Sequence, residues 1–355
     1  MTTTDHDHHL LDLDIPIFRP IEGIFSDLNL SEIGYSLEGK GEFPSKYLYF
    51  GNGVDNWKIR SVNKKEELAN YTHGIVGKEY KLMNDNLDLV LGSITDKSNI
   101  NVVDIGPGTG YPAFPILSFL QDKKKLNKYI AIDIVKEMCD LAINNLKSIE
   151  MLSKMKTQKY VHDFEYGHFA DLMFEERKEG CANLFIFIGS TIGNMIDRHR
   201  ALANIRDSMT EGDLLWVGTC LYKGVNTFTN LYSKLEVGSV EYINKCKGLV
   251  SVLEAFGMKN WMDFGKITVE EVDVNGLIKY YFEVKKPFIL EIPKNNHSKK
   301  YIRLKYLIGD RIVLNRLKNF LDQDLINEFR EANFNIKMLN VNKDYDYALV
   351  LASVQ

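Results

Sequence analysis

A glycine-rich turn at residues 102–110 carries the clearest chemical signal in this sequence. An apolar run containing Asp104 leads directly into Gly106, Gly108 and Gly110. Glycines let the backbone turn sharply and let a ligand approach without interference from a Cβ atom. At the carboxyl edge of a parallel sheet, such a turn is typical of a site for a nucleotide-like ligand.

A second apolar run ends at Asp133, where a carboxylate can accept hydrogen bonds from both hydroxyls of a ribose.

The glycine spacing of the turn at residues 106–110 distinguishes two ligand classes. Dinucleotide sites use Gly-x-Gly-x-x-Gly, whereas the spacing here is Gly-x-Gly-x-Gly, and Pro112 removes an amide donor that a phosphate would use. Asp104 would repel a pyrophosphate but suits a ligand amine. The pattern resembles the first motif of class I methyltransferases that use S-adenosylmethionine (SAM).

A second glycine-containing turn follows another apolar run and indicates a particular methyltransferase family. Residues 189–194, Gly-Ser-Thr-Ile-Gly-Asn, resemble the signature of the histidine Nα-methyltransferase family, SAM-dependent enzymes that trimethylate histidine on the way to ergothioneine. Residues 47–54, residues 163–164 and residues 212–219 are similar to further elements of that family. The resemblance extends over roughly residues 45–350.

The resemblance implies SAM as the cofactor and two sets of contact residues. The implied cofactor contacts are Asp104, Gly106, Pro107, Gly108, Thr109, Gly110, Asp133, Ile134, Asp163, Phe164, Gly189, Ser190 and Thr191. The implied substrate contacts are Tyr49, Asn194, Tyr232, Asn315 and Leu317. Asn194 could instead cap the following helix, and Tyr232 could be a core tyrosine on a helix face. No histidine stands at a motif position, so no general base is assigned.

The chain departs from the family where the family grips the imidazole of histidine. The family has a glutamate and, two residues later, a serine on a late strand, whereas Asn315 and Leu317 stand at the matching places here. Losing such polar partners changes specificity by orders of magnitude. We therefore predict that histidine is a poor substrate, and that an aromatic or aliphatic amino acid or a related small amine fits better.

Strands and helices alternate up to about residue 222, which predicts an α/β fold with a doubly wound parallel sheet. The resemblance implies that this is the sheet of class I methyltransferases. Residues 267–307 then alternate with period two, which indicates antiparallel strands of a second, α+β domain. We predict a SAM-binding domain formed by residues 80–222 and 320–355. Residues 10–79 and 223–319 are predicted to form a substrate-binding or lid domain.

Composition limits the possible partners and location. The 355 residues carry a net charge of −4 without a basic stripe, so we expect no nucleic-acid partner. We also expect no membrane segment, because no apolar run is long enough to span one. The four cysteines are scattered, which favours reduced thiols and a cytoplasmic location. His6, His8 and His9 are interpreted as part of a polar tail, and no metal site is predicted.

These observations predict a SAM-dependent N-methyltransferase acting on a small amino acid or amine. Two alternatives stay open at this point. The chain could be a C- or O-methyltransferase of a small molecule in secondary metabolism. It could also be a SAM-binding protein without catalysis, which the changed residues Asn315 and Leu317 would permit.

Overall fold

The computed structural model of the chain describes residues 15–56, 58, 74–94, 99–176, 181–222, 224, 234–272, 276–295, 300–344 and 346–354. The chain divides into two compact units. The first unit consists of Met1–Asn56, Thr227–Glu271 and Ile278–Arg316, and the second of Trp57–Asn226, Val272–Leu277 and Leu317–Gln355. The assignment of a cofactor domain and a substrate domain to these parts of the chain stays a prediction.

The α-helices of the described residues are short to medium in length. They are α1 (Asp27–Lys40), α2 (Gly74–Asn84), α3 (Leu87–Ser93), α4 (Phe114–Asp122), α5 (Lys136–Lys147), α6 (Ala170–Glu176), α7 (Arg198–Asp207), α8 (Val240–Ala255) and α9 (Asp322–Glu331). Short 3₁₀ turns occur at Ser45–Tyr49, Tyr111–Ala113, Glu150–Leu152, Thr191–Asn194 and Trp261–Asp263.

The β-strands fall into three sheets. They are β1 (Ile17–Phe18), β2 (Ile100–Ile105), β3 (Leu126–Asp133), β4 (Thr157–Val161), β5 (Ala182–Phe187), β6 (Leu214–Cys220), β7 (Gly265–Glu271), β8 (Leu277–Val284), β9 (Phe288–Pro293), β10 (Tyr301–Tyr306), β11 (Arg311–Lys318), β12 (Phe334–Val341) and β13 (Tyr347–Val354).

The second unit is built on a seven-stranded sheet with the order β12-β13-β6-β5-β2-β3-β4. Strands β6, β5, β2, β3 and β4 pair in parallel, while β13 pairs antiparallel with both β6 and β12. Every residue of β2, β5 and β6 is buried, since both faces of the sheet carry an apolar core. The predicted class I methyltransferase fold is confirmed.

The first unit contains antiparallel pairs, as the period-two pattern predicts. Strand β7 pairs with β8, and β9 pairs with β10. The strands nevertheless belong to two separate sheets, with the orders β1-β9-β10 and β11-β8-β7. Strand β1 adds to the first of these in parallel, which the sequence pattern does not indicate.

Helix α1 is an element that the sequence analysis missed. Its signals are present, however. Ser26 caps the helix in a reciprocal capping box with Asn29, and Gly41 ends it in the left-handed conformation with φ at 66°. The buried residues of the helix are Leu30, Ile33, Gly34 and Leu37, spaced as one face of a helix.

All four cysteines, Cys139, Cys181, Cys220 and Cys246, are buried thiols outside any disulfide. Burial raises the pKa of Cys139 and of Cys246 to about 12, and that of Cys220 to about 11. Among the described residues, no helix has the length and apolar character needed to cross a membrane. Within the same residues, no cluster of three or more potential metal ligands occurs; His6, His8 and His9 lie outside them.

Candidate active site

Three aspartates stand at the carboxyl ends of three adjacent parallel strands in the second unit. Asp104 lies near the end of β2, Asp133 ends β3, and Asp163 follows β4 by two residues. The charge of Asp163 contributes to raising the pKa of Asp133, and the charge of Asp133 does the same for the pKa of Asp104. The edge therefore carries a concentration of acidic groups that favours a cationic ligand.

Asp104 is buried, and its main partner is a tyrosine that the sequence analysis did not single out. The Tyr129 hydroxyl donates to Asp104 Oδ2 at 2.7 Å. Burial raises the pKa of Asp104 to about 7, although the hydrogen bond from Tyr129 acts in the opposite direction. The signal for Tyr129 is a single phenol at the start of the otherwise aliphatic second half of β3.

Asp133 is also buried, and its carboxylate is fixed by the backbone that follows it. The Val135 N–H donates to Asp133 Oδ1 at 2.8 Å. Burial raises the pKa of Asp133 to about 7, while the hydrogen bonds from the Val135 and Ile134 amides lower it. Because these bonds set the orientation of the carboxylate, Asp133 is prepared to accept hydrogen bonds from a ligand.

The glycine-rich turn brings together three of the predicted cofactor residues. A Cβ atom at Gly106 would lie 3.3 Å from Cγ2 of Thr191 and 3.6 Å from Cζ of Phe164. The backbone at Gly108 has a φ of 55°, and no atom lies within 4 Å of the place where a Cβ would project. Gly108 thus leaves its backbone open to the close approach of a ligand, whereas Pro107 is buried.

Thr109 and Gly110 face α5. Asn145 Nδ2 donates to the Thr109 carbonyl at 2.9 Å, and a Cβ at Gly110 would lie 2.7–3.0 Å from backbone atoms of Ala142. Glycine is therefore required at position 110 by the close packing of α5. The cofactor contacts predicted for these two residues stay a prediction.

We expect Gly110→Ala to destabilise the chain more than Gly108→Ala. Both glycines have positive φ values, 78° and 55°, but only the Cβ at position 110 would meet backbone. The unfavourable φ alone costs about 1–2 kcal/mol, and the overlap with α5 raises the cost at position 110 to about 2–5 kcal/mol. Urea unfolding of the two variants measures the difference. Equal losses would show that packing on α5 does not determine this glycine.

The turn at residues 189–194 is held in an uncommon backbone conformation. Gly189 has a φ of 87°, and Ser190, a residue with a side chain, has a φ of 65°. Ser190 is fixed there by two hydrogen bonds: its N–H donates to the Gly218 carbonyl at 3.1 Å, and its Oγ accepts from the Cys220 N–H at 3.0 Å. Strained backbone that the surroundings enforce is typical of ligand-binding turns.

Asn194 does not cap the helix that follows it. Helix α7 is capped by Asp197, whose Oδ1 accepts from the Arg200 N–H at 2.9 Å. Asn194 ends the 3₁₀ turn Thr191–Asn194 and is half-buried. The capping alternative is therefore wrong, and the substrate contact predicted for Asn194 stays a prediction.

The end of β11 packs against the same turn. A Cβ at Gly193 would lie 2.5 Å from the Lys318 carbonyl oxygen and 3.2 Å from Cδ1 of Leu317. An apolar side chain thus lies directly beside the turn that carries Asn194.

The remaining predicted substrate residues lie in the first unit or outside the described residues. Asn315 is half-buried, and its Oδ1 is buried without a hydrogen-bond partner among the described atoms. Tyr49 ends the 3₁₀ turn Ser45–Tyr49 and is half-buried. Tyr232 falls outside the described residues.

Comparison with known proteins identifies the family. Residues 31–354 match the sequence profile of the histidine-specific, SAM-dependent methyltransferases. The chain belongs to this family. As a member, it is a SAM-dependent methyltransferase, and the predicted resemblance is confirmed. No curated protein matched the sequence.

Several solved methyltransferase structures are similar to this chain at low identity. A SAM-dependent methyltransferase from Clostridium acetobutylicum ATCC 824 is 12% identical, with a TM-score of 0.41 over 84% of this chain and 98% of that chain. The glycopeptide N-methyltransferase MtfA in complex with SAM is 11% identical, with a TM-score of 0.37 over 77% and 94%. The CcbJ methyltransferase from Streptomyces caelestis is 10% identical, with a TM-score of 0.36 over 77% and 96%.

The residues of this methyltransferase at the sheet edge fit SAM, whose sulfonium and ammonium groups are cationic. The acidic edge supplies the complementary charge, and Gly108 gives the backbone access that a bulky ligand needs. Asp133 would hold the ribose and Phe164 the adenine. These assignments remain predictions for individual residues, although the cofactor itself follows from the family.

Proposed function

We propose that this methyltransferase transfers a methyl group from SAM to the amine of a small amino acid or amine other than histidine. The observation that carries the proposal is the contact of Leu317 with the turn that bears Asn194. By the resemblance to the family, Leu317 stands at the position of a serine that contacts an imidazole. Leu317 offers no hydrogen bond to imidazole and favours an aliphatic or aromatic substrate side chain.

Asn315 supports the same conclusion by its chemistry. An asparagine amide is neutral, so it lacks the charge with which a glutamate would bind an imidazolium or an imidazole N–H. Asn315 and Leu317 are two residues apart on β11 and therefore project from the same face of the strand. Both substitutions act together to reduce the affinity for histidine.

The reaction requires little covalent chemistry from the chain. When bound, SAM supplies a methyl group activated by its positively charged sulfur. The amine lone pair forms the new N–C bond as the C–S bond breaks, so an ammonium substrate must first lose a proton. The residues of the site act by orienting the neutral amine and excluding water. The amide of Asn194 can accept a hydrogen bond from the amine or donate one to a carboxylate.

We expect histidine to be a poor substrate compared with aliphatic or aromatic amino acids. A panel of amino acids and amines incubated with SAM, followed by mass spectrometry for mass increases of about 14 Da per methyl group, tests this. The double variant Asn315→Glu, Leu317→Ser should gain activity on histidine, because it restores the two polar groups of the family. Efficient trimethylation of histidine by the unmodified chain would contradict the proposal.

A further inference from the structure

We propose that Glu165 is a positioning residue that fixes the predicted adenine-side segment relative to the turn that carries Asn194. The proposal rests on the proposed function, because it assigns the substrate to Asn194. Glu165 directly follows Phe164, is 4% exposed and lies in none of the sequence motifs. All of its contacts discussed below lie within the second unit.

The carboxylate of Glu165 accepts hydrogen bonds from the backbone just beyond Asn194. Its Oε1 accepts from the Ile196 N–H at 2.7 Å and from the Asp197 N–H at 3.1 Å. A buried carboxylate that accepts two backbone amides holds them more strongly than a neutral acceptor does. Glu165 thereby fixes the backbone two and three residues after Asn194, just before α7 begins.

The backbone of Glu165 is held at the same time as part of the adenine-side segment. The Glu165 N–H donates to Asp163 Oδ1 at 3.1 Å. Asn204, on α7, donates through Nδ2 to the carbonyls of Phe164 and Glu165 at 3.1 and 3.0 Å. Arg200 donates to the Tyr166 carbonyl at 3.0 Å and lies over its ring, 4.8 Å from the centroid.

These contacts give Glu165 a role that its neighbours do not share. Asn204 and Arg200 join the segment 163–166 to the body of α7, whereas the Glu165 carboxylate alone among these contacts reaches the residues between Asn194 and the helix. Methyl transfer needs the cofactor and the amine at a fixed distance, and small misplacements reduce turnover strongly. Glu165 is a hydrogen-bonded connection by which a cofactor-side movement reaches the substrate-side turn, beside the packing of Phe164 and Thr191 at Gly106.

The test uses amide hydrogen exchange of the full-length chain with and without S-adenosylhomocysteine. In the wild type, this ligand should slow exchange both in the segment 163–166 and in the segment 191–197. In Glu165→Ala, protection should persist in the first segment and be lost in the second. Glu165→Gln should restore protection in both, because its amide oxygen can still accept from the two N–H groups. Protection of both segments in Glu165→Ala would overturn the proposal.

A matched control is available at the amino ends of the parallel strands of the same sheet. Asp213 is a buried carboxylate that accepts from the Asn183 N–H at 3.0 Å and from the Thr210 N–H at 2.9 Å. Asp213→Ala should lower the melting temperature as much as Glu165→Ala does, yet keep ligand-dependent protection of both segments. Loss of coupling in this control as well would show that Glu165 acts only through stability.

Activity gives a second readout that separates this proposal from the proposed function. With an amine accepted by the wild type, Glu165→Ala should lower kcat about 100-fold and change the Kd of the cofactor less than ten-fold. An unchanged kcat together with a lower melting temperature would overturn the positioning role. If no amine of the panel is methylated, the proposed function fails, and the exchange experiment still decides the role of Glu165.

Discussion

Asp133→Asn is expected to weaken SAM binding by about ten- to two-hundred-fold and to stabilise the ligand-free chain above pH 7. The loss of affinity follows from the removal of a charged acceptor for the ribose hydroxyls, on the order of 1.5–3 kcal/mol. The gain in stability follows from burial, which holds the ionised carboxylate away from water. The same burial raises the pKa of Asp133 to about 7. Asparagine keeps an acceptor for the Val135 amide and needs no solvation of a charge.

The pH dependence of this effect has a definite sign. Between about pH 4, the ordinary range of an aspartate, and pH 7, the folded chain binds a proton at Asp133 that the unfolded chain has released. The free energy of unfolding therefore falls as the pH rises through this window, by up to about 1.4 kcal/mol per pH unit. The variant lacks the contribution of Asp133 to this decline and keeps that of Asp104, whose pKa is also raised to about 7. The two chains should therefore have similar stability near pH 4 and diverge up to pH 7.

Calorimetry of cofactor binding and urea unfolding at pH 5, 6, 7 and 8 measure both effects. Asp140→Asn is a suitable control, because Asp140 is a half-exposed residue of α5 paired with Lys159. This control should change neither the affinity nor the pH dependence of stability. Unchanged cofactor affinity in Asp133→Asn would show that this carboxylate does not bind the ribose.

Asn194→Ala is expected to reduce turnover about 100-fold while leaving cofactor affinity and melting temperature nearly unchanged. The structural reason is that Asn194 contributes no cap to α7, where Asp197 supplies the capping carboxylate. Alanine at position 194 thus removes an amide that we propose contacts the substrate, and it leaves the start of the helix intact.

Asp197→Ala provides the opposite behaviour in the same segment. It removes the hydrogen bond to the Arg200 amide and should cost about 1 kcal/mol of stability with normal turnover. Measuring kcat, cofactor affinity and melting temperature for both variants separates the two roles. A drop in melting temperature without a drop in kcat for Asn194→Ala would remove Asn194 from the substrate site.

The sheet of the second unit was largely predictable because each central strand is a continuous apolar run ended by a turn. The sequence places Asp104, Asp133 and Gly189 at strand ends, and parallel pairing brings those ends to one edge. The first unit was less accessible, since periodicity predicts strands but not which strands pair. Nothing local indicates that β1 joins β9 or that β8 and β9 belong to different sheets.

The residues of the candidate site also differ in whether the sequence predicts them. Residues within a motif, such as Gly106 and Thr191, could be predicted together because a family resemblance links them. Tyr129 and Glu165 could not, because their roles depend on hydrogen bonds between segments that are far apart in the chain. The requirement for glycine at position 110 by the packing of α5 could not be predicted either, because it depends on backbone atoms of Ala142.

The rate at which the buried cysteines are alkylated reports local opening of the chain. Thiol reagents attack the thiolate, and the raised pKa values of Cys139, Cys220 and Cys246 keep these groups protonated as well as inaccessible. Alkylation can therefore proceed only when the surrounding structure opens. Cys246 lies in the first unit and the other cysteines in the second, so labelling rates distinguish the two. Cys220 contacts Ser190, so its labelling rate reports the opening of the turn at residues 189–194 without the introduction of a new cysteine.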